Sequence, residues 1–503
     1  MRRCAQLAIA IGLGIATPFL ALQTAALAQD EYDDLLGGFD DEFDSSELDL
    51  DDEETPAWLA ALPFGPWLHE HVDLSGFVEG GLVYSYISHS VPNSDDPTQS
   101  TSWGNKISRL DLEGLLQLDV ELPYDWRARA EMLGWYDFAY RINGRSEYSG
   151  SVIDVYEWQV DSGEVYAAGP LHPNVDLTVG RKVVNWGRSE TFRVVDVVNP
   201  LDQKEPGLVD IEDLRRPRVM AKLDAQKGPW STQLIVITER RFARLPPPGS
   251  DFFPDLSNLP PAFQQVFRSV SINDRGNFDG TPGLAGRFDG RFSGWDFSIY
   301  GAWVDEDQRV LDPEAAFGAT PQQTRITAEP NRFGLLGAGA NYTRGSWLLK
   351  FEGAWRTKIR VLRQRATAPF LVSDDKDRLD SMLGIEYYGP DNLTVVLELV
   401  NRHLLNYSHG AGNPPHLLDQ TQWEWGLRIT RPFFRERMEV TALGVAVGER
   451  LQDGGFVRVS ADWELTDAWT LDGGVLAFIG GPDKGLGAFE DNDRLFVSLK
   501  YSF

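Results

Sequence analysis

The 503-residue sequence has a single cysteine, Cys4, close to its beginning. We predict that residues 1–28 are a cleaved signal peptide, because Arg2 and Arg3 precede an apolar stretch that closes with an A-x-A pattern at Ala28. Its removal leaves no cysteine, which excludes disulfides, thiolate metal sites and cysteine nucleophiles. An uncleaved membrane anchor is the alternative for the same stretch.

Other signatures are also missing. No later run of about 18 apolar residues occurs, which excludes a helical membrane span. None of the 7 histidines has a metal-ligand spacing such as H-E-x-x-H, and neither a G-x-S-x-G motif nor a phosphate-binding glycine loop occurs. We therefore predict no metal, cofactor or catalytic residue. With 47 basic against 75 acidic residues, the chain is also a poor candidate for binding nucleic acid.

The acidic residues are unevenly distributed. Between Asp30 and Glu54 there are 14 acidic and no basic residues, so we predict that residues 29–55 form a disordered periplasmic tail. Solvation of the N-terminus is its simplest role, and docking of a partner or collection of cations is the alternative. Residues 56–71 carry an apolar patch that we interpret as a short interfacial helix or a small plug.

From residue 72 to residue 503 the apolar pattern has a period of two. In the first clear segment the apolar set is Leu110, Leu112, Leu116, Leu118, Val120 and Leu122, and the polar set is Arg109, Asp111, Glu113, Gln117, Asp119 and Glu121. Segments of about fourteen residues exceed the strands of soluble sandwiches. The pattern predicts an all-β fold, a closed antiparallel transmembrane β-barrel of about 18 strands, between 16 and 20.

The connections between these segments alternate in length. Short links end at Asp125, Pro229 and Ala468, and long polar ones lie near 89–104, 143–154, 244–280, 305–331, 361–376 and 480–492. Short periplasmic turns and long external loops are typical of bacterial barrels. Strands that leave short turns open with Trp126, Trp230, Trp295, Trp347 and Trp469, which predicts a periplasmic aromatic girdle.

A barrel of this size has a lumen that facing side chains cannot fill. The predicted lumen-lining residues are Arg127, Arg129, Glu131, Lys350, Glu352, Arg356, Glu398 and Arg402. Pairing of these charges between neighbouring strands, which would only stabilise the wall, is the alternative. The last strand ends with Tyr501 and Phe503, and this ending resembles the recognition signal of barrels that the outer-membrane assembly machinery inserts.

One stretch, Gly180 to Val219, departs from the alternation. It contains Trp186-Gly187, Ser189, Asn199-Pro200 and Asp202. With its W-G-x-S strand end and N-P-x-D loop it resembles a family of Gram-negative outer-membrane barrels catalogued as a domain of unknown function. The resemblance implies a partnership with export pumps of the resistance-nodulation-division type and traffic in hydrophobic or lipid-like compounds.

The same stretch carries both signs of charge together with apolar anchors, so we predict that it folds into the lumen and narrows it. The predicted constriction residues are Trp186, Arg188, Ser189, Arg193, Asp196, Asn199, Pro200, Asp202, Arg215 and Arg216. Packing against the inner wall only to stiffen the barrel is the alternative.

The favoured function is a porin-like channel for small solutes. A conduit for hydrophobic compounds is the first alternative, with Leu115, Leu133 and Trp135 on otherwise polar faces as its hint. An enzyme, or an adhesin that uses the loops around Pro246 to Pro261, is the second. We expect Sec-type export to the outer membrane, with membrane lipid, the assembly machinery and an export pump or periplasmic protein as partners.

Overall fold

The computed structural model describes residues 70–96, 98–208, 214–253, 276–278, 280–312, 327–364, 371–407, 419–481 and 485–503. The predicted signal peptide, the acidic tail and all of the 56–71 patch except its last two residues lie outside the described residues. Among the helices of the described ranges, none has the length and apolar character needed to cross a membrane.

Eighteen strands in the described ranges form one antiparallel sheet. They are β1 (Val72–Ser85), β4 (Lys106–Leu122), β5 (Trp126–Asp137), β6 (Trp158–His172), β7 (Val175–Lys182), β8 (Arg218–Lys227), β9 (Trp230–Ile237), β10 (Gly283–Phe292), β11 (Trp295–Asp305), β14 (Arg332–Arg344), β15 (Trp347–Gln364), β16 (Leu371–Tyr388), β17 (Thr394–Leu404), β18 (Thr421–Phe433), β19 (Met438–Val447), β20 (Gly455–Thr466), β21 (Trp469–Ile479) and β22 (Arg494–Ser502). Two short hairpins lie in the loops, β2 (Ser90–Pro92) with β3 (Ser100–Ser102) and β12 (Val310–Asp312) with β13 (Thr327–Glu329).

The sheet closes on itself. Each barrel strand pairs with the barrel strands that precede and follow it, and β1 pairs with both β4 and β22. Phe77, for example, lies opposite Leu115 on one side and Ser502 on the other. The backbone N–H of Gly76 donates to the Phe503 carbonyl at 2.9 Å, and the reverse bond is 3.0 Å. The prediction of a closed antiparallel barrel of about 18 strands is confirmed.

The alternation of side chains has the expected inside-out sense. Leu112 and Leu116 of β4 point outward and are 52% and 40% exposed. Asp111, which points to the barrel interior, is buried. Large apolar side chains on the outer face are stable only in contact with hydrocarbon, and closure leaves no unpaired sheet edge there. The fold is therefore that of a transmembrane barrel.

One end of the barrel carries short turns together with both ends of the sheet-forming chain. Gly228 and Gly294, at φ +59° and +80°, occupy two of these turns, where a left-handed backbone suits glycine. The tryptophans predicted to open strands do so in β5, β9, β11, β15 and β21, and all five lie at this end. Tyr501 is there too, on the outer face, with its ring centroid 4.9 Å from that of Trp469.

The opposite end carries the long connections. The β5 to β6 loop holds helices α1 (Ala139–Ile142) and α2 (Gly150–Tyr156) and the 3-10 turn Arg145–Glu147; other 3-10 turns are Pro390–Asn392, at the short-turn end, and Gly485–Phe489. The prediction of a long link near 361–376 was wrong. Strand β15 continues to Gln364 and β16 begins at Leu371, because the alternating pattern persists beyond the polar residues that suggested a loop.

Candidate functional site

The chain between β7 and β8 folds into the barrel interior. We call its described residues, 183–208 and 214–217, the inserted segment. Every residue from Arg188 to Pro200 is buried, and this stretch contacts side chains that point inward from β11, β15 and β17. Its backbone does not join the barrel sheet, so its N–H and C=O groups need other partners.

Asn199 ties the two ends of the inserted segment together. Its Oδ1 accepts from the backbone N–H of Val184 at 2.8 Å, and its Nδ2 donates to the carbonyls of Lys182 at 3.2 Å and Arg216 at 3.0 Å. The next residue, Pro200, accepts from the N–H of Arg216 at 2.7 Å. The Asn-Pro pair of the sequence motif thus closes the loop at the point where it leaves and rejoins the wall.

The Trp-Gly pair anchors the start of the segment against the wall. The indole N–H of Trp186 donates to Gln233 of β9 at 2.7 Å, and its ring lies 5.4 Å from that of Tyr300 on β11. Gly187 has φ +108°, and a Cβ there would lie 3.0 Å from a carboxylate oxygen of Glu352. Glycine therefore fits both the left-handed backbone and the close approach of the segment to β15.

Two glutamates on the wall accept hydrogen bonds from the segment's backbone. Glu398 of β17 accepts from the N–H groups of Glu190 and Thr191, at 2.8 and 2.9 Å, and from the hydroxyl of Ser189 at 2.8 Å. Glu352 accepts from the N–H of Arg188. These carboxylates replace the partners that a neighbouring strand would have supplied.

Two wall arginines satisfy the opposite kind of group. Arg356 of β15 donates to the carbonyl of Val194 at 2.8 Å, and Arg402 of β17 donates twice to the carbonyl of Arg193 at 3.2 Å. Carboxylate acceptors and guanidinium donors on the same wall thus bind the segment's backbone between Arg188 and Val194. The predicted lumen-lining residues of β15 and β17 contact protein at this place.

The segment's own charges form pairs with each other and with the wall. Asp196 receives Arg193 and Arg215, each with a nitrogen-to-oxygen distance of 3.2 Å. Arg193 also pairs with Asp307, which follows β11. The Arg188 guanidinium binds Tyr300 and Ser298 at 2.9 Å and pairs with Asp296. Arg193, Asp196 and Arg215 therefore form one connected set of ion pairs, and Arg188 pairs separately with the wall.

The remaining predicted constriction residues lie near the return of the segment to the wall. Asp202 accepts from Arg244 at 2.8 Å, and Arg216 donates to the Phe242 carbonyl at 2.7 Å. Both partners belong to the next inward loop. The two inward loops therefore brace one another.

Several important wall residues are absent from the predicted set. Asp380 of β16 is approached by Arg356 at 3.1 Å, Arg378 at 2.6 Å and Arg402 at 3.2 Å, and Lys350 lies 2.8 Å from Glu386. The same alternation that identified β15 and β17 places these β16 residues on the inner face. The signal was present in the sequence and was not followed across the neighbouring strand.

The inner face of β4 to β8 is different. Asp119 and Arg129 pair at 2.7 Å across neighbouring strands, and their side chains are 32% and 33% exposed. Arg127 lies two residue pairs closer to the short turns and is exposed, while Glu131 accepts from the N–H of Glu164 at 2.8 Å. These predicted lumen residues line a polar and partly open region in the half of the barrel that carries the turns.

A second loop, residues 239–253, also folds inward, and sequence reasoning missed it. Phe252 packs on Phe489 with ring centroids 5.6 Å apart, and Asp251 pairs with Arg494 of β22. The Pro248 carbonyl accepts from Ser151 at 2.9 Å. Of the stretch Pro246 to Pro261 proposed for an adhesin, the part up to Phe253 is buried, and the rest lies outside the described residues. A proline-rich run gives no sequence signal for inward packing.

Trp135, an apolar residue on an otherwise polar face, packs against the inserted segment. Its indole N–H donates to the Tyr156 carbonyl at 3.3 Å, and the ammonium of Lys204 lies 3.8 Å from its ring centroid. Trp135 is thus a contact between β5 and the inserted segment.

Glu306 follows β11 at the end of the barrel that carries the long connections, which we call the mouth. Burial raises the pKa of Glu306 to about 7, while Asn331 donates to its carboxylate at 3.0 Å.

The model of the family described as "Protein of unknown function (DUF1302)" matches residues 13–503. A search of curated proteins found no match. Among solved structures, OccAB1 of Acinetobacter baumannii is 10% identical with a TM-score of 0.47, over 86% of this chain and 96% of that chain. OmpF of Salmonella typhi in complex with daunomycin is 10% identical with a TM-score of 0.41, over 86% and 97%. The outer membrane channel DcaP of A. baumannii is 12% identical with a TM-score of 0.38, over the same shares.

Proposed function

We propose that this chain, which belongs to the DUF1302 family, is an outer-membrane channel for small polar solutes whose lumen is narrowed by the inserted segment. The observation that carries the proposal is the attachment of this segment, by hydrogen bonds to Glu352, Arg356, Glu398 and Arg402, inside a barrel that is too wide for its wall side chains to fill. A constriction lined by both signs of charge selects solutes by size and charge.

The region of partly exposed charges on β4 to β8 supports a water-filled approach from the turn-bearing end. Asp119 and Arg129 lie there, and Lys222 and Asp224 of β8 pair at 3.0 Å with side chains 19% and 34% exposed. Solutes would meet this polar region before the inserted segment. We also propose that the protein reaches the membrane by Sec-type export and that Tyr501 and Phe503 serve as the assembly signal.

Single-channel conductance in planar bilayers tests the proposal. Deletion of Glu190 to Asp213 is expected to raise the conductance severalfold, because it removes protein from the lumen cross-section. Deletion of the exposed residues Glu449 to Gln452, in the loop between β19 and β20, is the matched control and is expected to leave conductance unchanged. Equal conductance of the wild type and the Glu190 to Asp213 deletion would refute the constriction.

A conduit for hydrophobic compounds is the second candidate. It is favoured by the apolar inner face of β8 to β14, where Met220, Ile235, Tyr300 and Leu335 are buried against the inserted segment and would face any solute if the segment moved. Liposome swelling with sugars and amino acids supports the channel. Retention of these solutes together with flux of a lipophilic dye supports the conduit.

A further inference from the structure

The lipid-facing surface of β1, β4, β5 and β6 contains a groove of about 710 Å³. One row of paired residues crosses these strands at its centre, in the order Val78, Gly114, Gly134 and Val160. Outward side chains are missing at the two glycines, while Leu112 and Trp158 stand beside them at 52% and 60% exposure. The result is an apolar depression in the outer wall.

The end of this groove farther from the short turns is cationic. Arg141 of α1 and Arg145 of the following 3-10 turn line it, with side chains 69% and 58% exposed. Both approach a single carboxylate, Glu157, at 3.9 and 2.9 Å. Both guanidinium groups keep most of their surface exposed at the position where membrane headgroups begin.

Tyr136 connects the apolar and the cationic parts of the groove. Its ring faces outward on β5, and the Arg141 guanidinium lies 5.4 Å from its centroid. Its hydroxyl is buried and has no hydrogen-bond partner among the described residues. Tyr136 thus holds the Arg141 guanidinium beside the apolar part of the groove.

A second outer groove, on β11 and β14 to β17, shows that the cationic end is a separate feature. Its volume is about 660 Å³, and its central row contains Ala338, Gly353 and Ser381. No arginine or lysine lines it within the described residues. The two grooves are similar in size and apolar character, and they differ in the charge at their external end.

We propose that the first groove binds a phosphate-bearing lipid of the outer leaflet, with an acyl chain along Gly114 and Gly134 and the phosphate between Arg141 and Arg145. Guanidinium groups bind phosphate oxygens through paired, charge-assisted hydrogen bonds, and the groove removes one acyl chain from contact with its neighbours. The inference depends on the transmembrane placement of the barrel and does not depend on conduction.

Native mass spectrometry of the detergent-purified full chain tests this site. Bisphosphorylated lipid A and neutral phosphatidylcholine are added in separate titrations, and inorganic phosphate is added in a third. We expect lipid A to be retained at least tenfold more tightly than phosphatidylcholine. Arg141→Gln with Arg145→Gln should remove that preference, whereas Arg344→Gln with Arg435→Gln, at the turn-bearing end, should preserve it.

Filling the groove tests the acyl-chain half of the site. A Cβ at Gly114 would have only the Phe77 carbonyl oxygen nearby, at 3.5 Å, and one at Gly353 would be 3.5 Å from Phe351. Leucine therefore fits both positions without displacing the wall. Gly114→Leu should weaken lipid A binding severalfold, and Gly353→Leu should not. Heat-modifiable gel migration verifies that every variant forms a barrel.

Three results would overturn the proposal. The first is equal retention of lipid A and phosphatidylcholine. The second is loss of binding to the same degree in Gly114→Leu and Gly353→Leu, which would indicate general contact with lipid. The third is full competition by inorganic phosphate without any effect of Gly114→Leu, which would indicate an ion site alone.

Discussion

Charged side chains line both the inner face of β4 to β7 and the inner face of β15 to β18, but the two walls use them differently. On the first, Asp119 and Arg129 pair with each other and are about one-third exposed. On the second, Glu398 has no exposed surface and binds the backbone of the inserted segment. The same alternating pattern therefore yields a polar, partly open wall in one region. In the other it yields a wall that binds the buried inserted segment.

This difference teaches that the inserted segment depends on the charged wall. A loop without sheet partners must find donors and acceptors elsewhere, since buried unpaired backbone groups cost free energy. Glu352 and Glu398 supply acceptors, and Arg356 and Arg402 supply donors. Removing one of these charges should therefore affect the segment, whereas removing a charge from the other wall should affect only its immediate neighbour.

The largest expected effect tests that contrast directly. Glu398→Ala leaves two backbone N–H groups and the Ser189 hydroxyl without their acceptor, and we expect a loss in the free energy of unfolding of about 1–3 kcal/mol for each unsatisfied group. The change should also make the channel current noisier because the segment loosens. Asp119→Ala, in a pair that is one-third exposed, should cost about 0–1 kcal/mol. Urea unfolding in lipid vesicles, followed by tryptophan fluorescence, measures both, and equal losses would remove the distinction between the walls.

A disulfide between the segment and the charged wall asks whether the segment moves. A Cβ at Gly426 of β18 would lie 2.9 Å from the Thr191 Cβ, so a small outward shift reaches the roughly 3.8 Å of a disulfide. In Thr191→Cys with Gly426→Cys we expect oxidation to suppress transitions to larger conductance and reduction to restore them. The single-cysteine variants are the controls. If oxidation leaves the current unchanged, the inserted segment does not move and the constriction is static.

The smallest expected effect concerns the mouth, next to the charged wall. The pKa of Glu306 is raised by burial to about 7, above its ordinary value of 4.5, so the protonated form is favoured in the packed loop. Its stabilising contribution is full below pH 4.5 and is lost as the pH rises through 7. We expect the melting temperature to fall by about 2 °C across this range.

The variant Glu306→Gln should remove this part of the pH dependence, because an amide cannot ionise. Glu449→Gln, in an exposed position on another external loop, should leave it in place. Hydrogen exchange at the Glu306 amide, which donates to the Asn331 carbonyl at 2.8 Å, reports the loosening locally after correction for intrinsic rates. A pH profile identical in Glu306→Gln and the wild type would contradict the assignment.

The sequence predicted the barrel well because its rule is local. Leu112 and Asp111 face opposite sides for the same reason in every strand, since successive residues of a strand point in opposite directions. The strand count followed from this rule, and closure followed from the need to leave no unpaired sheet edge in hydrocarbon. The missed positions, Asp380 and Glu386, obey it as well, so more of the charged wall could have been predicted from the same pattern.

The alternating sequence, by itself, determined that the chain closes into a wide barrel with a charged interior, because hydrocarbon on one side and unpaired backbone on a sheet edge leave no other stable arrangement. Only the tertiary structure decided which charges meet water and which meet protein. That choice depends on where residues 183–217 and 239–253 lie after the barrel has closed. Contacts such as Glu398 with Thr191 join positions far apart in the chain, and no local period encodes them.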